Sequence, residues 1–145
     1  MTEFLGYDHV DTRVRSIAAV EPFYDQLMSA LGMPRKKYSY VDPAGEWREP
    51  SAEHPYNTVE YYEPPAAGVV ARFIGFIEDA GMQPTLTRIA FRVAAPFDAS
   101  SWVSFLQRIG ARTIEPSVSD EYPAVFFEDP SGTKLEVCAR RPRVG

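Results

Sequence analysis

Two short stretches of the chain alternate apolar and polar residues with the period of a half-buried strand. In LTRIAFRV, residues 86–93, Ile89, Phe91 and Val93 fall on one face and Arg88 and Arg92 on the other. In YDHVDTRV, residues 7–14, Val10, Thr12 and Val14 alternate with His9, Asp11 and Arg13. Overlaid, His9 falls on Arg88, Val10 on Ile89, Arg13 on Arg92 and Val14 on Val93.

The segments after these two strands match as well. Ile17, Val20, Phe23, Tyr24, Leu27, Met28 and Leu31 recur at helical spacing and stop at Gly32, with Ser16 as N-cap. Pro22 fits such a helix only within its first turn. Trp102, Phe105, Leu106 and Ile109 repeat the pattern, from a cap at Asp98 or Ser100 to Gly110. Further strands are predicted at 35–41, 56–63 and 69–77, and again at 112–116, 122–128 and 133–139. YNTVEYYEPPAAGVVARF parallels YPAVFFEDPSGTKLEV when Gly68 is laid on Gly132. The DPSG at 129–132 is a tight-turn signal.

The chain therefore reads as one 145-residue domain of class α+β, built from two tandem βαβββ modules at 5–77 and 86–140. Their strands are expected to form a curved eight-stranded sheet, helices outside and a concave cleft inside. The cleft face carries His9, Asp11 and Arg13 with Arg88, Ala90 and Arg92. Such concave surfaces are the usual place for a small-molecule site.

Composition narrows the function. A net charge of −5 argues against a nucleic-acid partner, which needs clustered Lys and Arg. The short basic ending ARRPRVG reads as a solvated tail. No apolar stretch is long enough to span a bilayer, and MTEFLGYDHV shows no secretory pattern, so a cytoplasmic location without membrane partner is expected. The single Cys138 excludes an internal disulfide. With two histidines no nucleophile triad can be assembled, and no Gly-rich phosphate loop is present.

The segments YDHVDTRVRSIAAVEPFYDQLMSALGM, RIAFRVAAPFDASSWVSFLQRIGA and YPAVFFEDPSGTKLEV resemble the vicinal-oxygen-chelate superfamily. That group contains glyoxalase I, bleomycin- and fosfomycin-resistance proteins and extradiol dioxygenases. The resemblance implies a homodimer and metal ligands from the first and last strand of each module. His9 matches the first His and Glu136 the last Glu. Arg88 stands where the second His is expected, and Arg72 where the other Glu is expected. A guanidinium has no lone pair to give. At about 4 Å and an effective dielectric near 20, each arginine opposes each unit of ion charge by roughly 4 kcal/mol. No cofactor is therefore expected, and a divalent metal on His9 and Glu136 only weakly. Glu60 or His54, in the loop-like 42–55, could complete a three-ligand set.

Without a metal, Arg88 would pair with Glu136 and Arg72 would stand near His9. Arg13, Arg72, Arg88 and Arg92 would together receive an anion, with Trp47 and Glu60 as further ligand contacts. His9 and Glu136 are the candidate catalytic pair. The leading expectation is a glyoxalase/bleomycin-resistance-like protein binding a small oxygen-rich or anionic molecule, with lyase or isomerase chemistry if it is an enzyme. A non-catalytic sequestering protein for a toxic compound or antibiotic is the alternative. An extradiol-type dioxygenase comes third.

Overall fold

The computed structural model describes residues 2–140, so most of the basic tail lies outside the described residues. The chain divides into two compact units, 1–82 and 83–145. The second has the expected βαβββ order, the first has it with one short strand inserted, and the class is α+β.

In the first unit, β1 (His9–Val14) leads into α1 (Ile17–Ala30), followed by β2 (Arg35–Val41), β3 (Trp47–Arg48), β4 (Thr58–Tyr62) and β5 (Phe73–Glu78). The sheet order is β1-β5-β4-β2-β3, with β1 parallel to β5 and the other pairs antiparallel. The two-residue β3 is one strand more than the expected eight; it arises where 42–48 folds back on the end of β2. Ser16 caps α1 by accepting from the Ala19 N–H at 3.2 Å, and Ile17 N–H donates to Glu78 at 2.8 Å. Pro22 lies one turn deeper than expected, inside the helix, where it offers no N–H to the Ala18 carbonyl. Gly32 closes the helix at φ 80°, a conformation costly for a residue with a Cβ. Tyr24, Leu27 and Met28 from α1 are fully buried with Val59, Tyr61 and Phe76 from the sheet. One face of the sheet is thus committed to the helix, and the other carries no helix of this unit.

In the second unit, β6 (Arg88–Arg92) precedes α2 (Ala99–Ile109), β7 (Arg112–Pro116), β8 (Ala124–Glu128) and β9 (Lys134–Cys138). The order is β6-β9-β8-β7. Asp98 caps α2 through the Ser101 N–H at 3.1 Å, and Gly110 ends it at φ 90°. Leu106, Val125, Leu135 and Val137 form the buried centre. The Asp129 carboxylate takes the N–H groups of Ser131 and Thr133 at 2.7 and 2.9 Å, fixing the predicted turn before β9.

Candidate functional site

Residues paired across a ladder point to the same face of a sheet, so register places the side chains. On the helix-free face of the first unit, two rows cross four strands. One row runs His9, Phe73, Tyr62, Arg35. Its members stack: His9 on Phe73 at 4.6 Å with planes 2° apart, Phe73 on Tyr62 at 4.7 Å, and the Arg35 guanidinium over Tyr62 at 5.4 Å. The other row runs Asp11, Gly75, Glu60, Lys37.

Between these rows and β3 lies a pocket of about 570 Å³, lined by His9, Asp11, Glu60, Tyr62, Phe73 and Trp47, with Lys37, Ser39, Arg48 and Glu49 around them. Trp47 reaches it because β3 pairs with the end of β2, Val41 opposite Trp47. The segment behind β3 is anchored by Asn57, whose side-chain amide both accepts from and donates to the Val41 backbone at 2.9 Å.

His9 Nδ1 is hydrogen-bonded to Asp8 at 2.7 Å, and its Nε2 faces Asp11 at 3.7 Å. The Asp8 bond, with the charges of Asp11 and Glu60 adding to it, raises the imidazole pKa above its usual value. Glu60 is only 6% exposed, and that burial raises its carboxyl pKa. Lys37 opposes the rise without quenching it.

Other expected site residues stand elsewhere. Arg72 precedes β5, is exposed, and forms an ion pair with Glu63 at 2.9 Å. Phe73, not Arg72, is in register with His9. Laying Gly68 on Gly132 misplaced it, because the connection before β5 spans 63–72 whereas that before β9 spans only 129–133. Glu136 faces Ala90 and Phe126 in its own sheet; the matching place in the first unit, facing Asp11 and Glu60, belongs to Gly75. Arg13 is exposed and is not among the residues that line the pocket. His54 stacks on Tyr40 at 4.7 Å and is also absent from that lining.

In the second unit Arg88, Ala90 and Arg92 face Lys134, Glu136 and Cys138 across the β6–β9 ladder. The expected Arg88–Glu136 pair does not form. Arg88 lies beside Lys134 and packs over the Phe126 ring at 4.7 Å. Glu136, 5% exposed, accepts a hydrogen bond from the Tyr122 hydroxyl instead. That bond pushes the Tyr122 pKa up to about 12, and Arg140 covers the phenol ring at 4.5 Å. Asp8, Tyr122 and Gly75 escaped sequence reasoning. The His-adjacent carboxylate at Asp8 was the one local signal that pointed to any of them.

The model of the Glyoxalase/Bleomycin resistance protein/Dioxygenase superfamily matches residues 6–137. The chain belongs to that superfamily. No curated protein sequence matches it. Among solved structures, a glyoxylase/bleomycin resistance protein/dioxygenase domain from Frankia sp. EAN1pec is 16% identical, with a TM-score of 0.63 over 96% of this chain and 94% of that one. The fosfomycin resistance protein FosX from Listeria monocytogenes is likewise 16% identical, with a TM-score of 0.60 over 96% of both chains. A further structure of that Listeria protein contains Mn(II) and sulfate. At such identities the likeness is one of fold.

The superfamily donor set is only partly present in this chain. The first-module carboxylate position is Gly75, which has no donor, and the second-module histidine position is Arg88, which has no lone pair. Among the described residues no three or more His, Cys, Asp or Glu are grouped to hold a metal ion. Two of the four donor positions that the resemblance implies therefore carry no donor side chain.

Proposed function

We propose that this superfamily member binds a small oxygen-rich molecule in the first-unit pocket and that His9 moves a proton on it. The observation that carries the reading is the Asp8–His9 pair at the pocket wall: Asp8 holds Nδ1 at 2.7 Å, which leaves Nε2 on the side of Asp11, itself a lining residue, at 3.7 Å. A carboxylate on Nδ1 fixes the ring and stabilises the imidazolium formed when Nε2 takes a proton. Acting on a carbon next to a carbonyl, neutral His9 removes the proton at Nε2 while the electron pair moves into the enolate. Return of that proton to the same carbon is exchange; its return to the former carbonyl carbon of a hydroxy ketone, with the hydroxyl proton passing between the two oxygens, is isomerase-type chemistry. Glu136, the other candidate catalytic group, hydrogen-bonds to Tyr122 and plays no part in this scheme.

Sequestration without chemistry is the second reading, and Trp47 favours it. At 47% exposed beside the pocket, its ring is available to cover a bound molecule. A cytoplasmic homodimer belongs to both readings, and gel filtration with light scattering checks the dimer.

The test is hydrogen exchange in deuterium oxide with hydroxyacetone and dihydroxyacetone, read by proton NMR. Enzyme-dependent exchange at the carbon-bound protons, lost in His9→Gln, is the expected result. Binding without exchange selects sequestration, and exchange unaffected by His9→Gln sinks the role given to His9.

A further inference from the structure

The polar floor of the first-unit pocket differs from its rim. Glu60 is buried, and its Cγ lies 3.5 Å from where a Cβ on Gly75 would stand. Asp11 reaches the same place from the other side, its Cγ 3.6 Å from that point. The Asp11 carboxylate and the Glu60 side chain thus flank a strand position that carries no side chain. Of the permanent cations in the lining, Arg48 is ion-paired to Asp42 and Glu46 at 3.1 and 3.0 Å. Lys37 is exposed at the rim and, among the described residues, forms no ion pair within 4.0 Å. The walls are aromatic: Tyr62, Phe73 and Trp47.

A carboxylate pair beside aromatic faces, one of its members buried, attracts organic cations through Coulomb attraction and the negative face of each ring. Such a floor repels a carboxylate or phosphonate. We propose that the molecule held in this pocket carries a protonated or quaternary amine, seated between Asp11 and Glu60 and walled by Tyr62, Phe73 and Trp47. The inference rests on the reading of this pocket as the ligand site and reverses the anionic ligand that the arginine-rich strands suggested. The arginines on which that expectation stood, Arg13, Arg72, Arg88 and Arg92, are absent from the pocket lining.

The test is isothermal titration calorimetry with three probes of similar frame: benzyltrimethylammonium chloride, benzyl alcohol and benzylphosphonate. The ammonium is expected to bind about tenfold tighter than either of the others, a difference of roughly 1.4 kcal/mol. Asp11→Asn and Glu60→Gln are each expected to weaken it about tenfold. Lys37→Gln is expected to tighten it, a change that misfolding cannot mimic. Tighter benzylphosphonate binding, weakened by Lys37→Gln, overturns the inference and leaves the pocket reading standing. Ammonium binding indifferent to both carboxylate substitutions overturns it too. If none of the three probes binds, inference and pocket reading fall together.

Discussion

The Asp11 carboxylate lies over the α-carbon of Gly75, so close that a Cβ there would collide with Asp11 Oδ1. Gly75 therefore makes room for the Asp11 side chain as well as lacking one of its own. The obstacle is the far end of a short side chain, which can rotate away, and the backbone of Gly75 is ordinary strand. Alanine also removes the entropic cost of glycine in a strand, about 0.5–1 kcal/mol. Gly75→Ala is thus expected to leave stability within about 1 kcal/mol while displacing Asp11. Urea denaturation reads the first effect. A severalfold loss of benzyltrimethylammonium affinity reads the second, and unchanged affinity would separate Asp11 from the ligand.

His9 gives a pH prediction with a definite sign. Its folded pKa is raised, chiefly by the Asp8 hydrogen bond, so the folded state holds the proton more tightly than the unfolded state. Its contribution to stability is fully present below the unfolded value of about 6.5 and fades as pH rises through the folded value. NMR titration of the His9 ring is expected to show a midpoint above about 6.5, lowered in Asp8→Asn. A midpoint that Asp8→Asn leaves in place would remove Asp8 from the proton-transfer scheme.

The fold was legible in the sequence because its signals are local. Alternation marked β1 and β6, the spacing from Ile17 to Met28 marked α1, and glycines closed both helices. Register across strands is not local, and that is where sequence and site part company. Whether Arg72 or Gly75 faces Asp11 depends on the length of the connection 63–72, which no periodicity encodes. The same limit hid the Tyr122–Glu136 bond, made across the turn at 129–132. His9, Trp47 and Glu60 line the first-unit pocket, and for these phase along a single strand, or a place in a long loop, is signal enough to nominate them.

Tyr122 is expected to matter for stability more than its partial exposure suggests. Its hydroxyl donates to the buried Glu136 carboxylate, so Tyr122→Phe leaves that carboxylate short of a donor. A loss of about 1–2 kcal/mol is expected in urea denaturation at neutral pH. In the unmodified protein the phenol should titrate near pH 12 by ultraviolet absorbance. Because this pKa is raised on folding, stability should decline from about pH 10 upward as the unfolded chain loses its proton first. A Tyr122→Phe variant of unchanged stability would mean that Glu136 finds a substitute donor.

Metal content tests whether this chain holds the divalent ion that the resemblance implies. Gly75 and Arg88 occupy two of the four donor positions that the resemblance implies, and neither offers a lone pair to a metal ion. After dialysis against manganese(II), zinc(II), nickel(II) or iron(II) and gel filtration, elemental analysis is expected to find well under one ion per chain. Arg88→Ala is expected to leave benzyltrimethylammonium binding unchanged, since Arg88 packs on Phe126 and is not among the lining residues of the first-unit pocket. One ion retained per chain, and lost in His9→Gln, would show that His9 serves as a ligand. The proton-transfer role drawn from its bond to Asp8 would then give way, with Asp8 orienting a metal-bound imidazole instead.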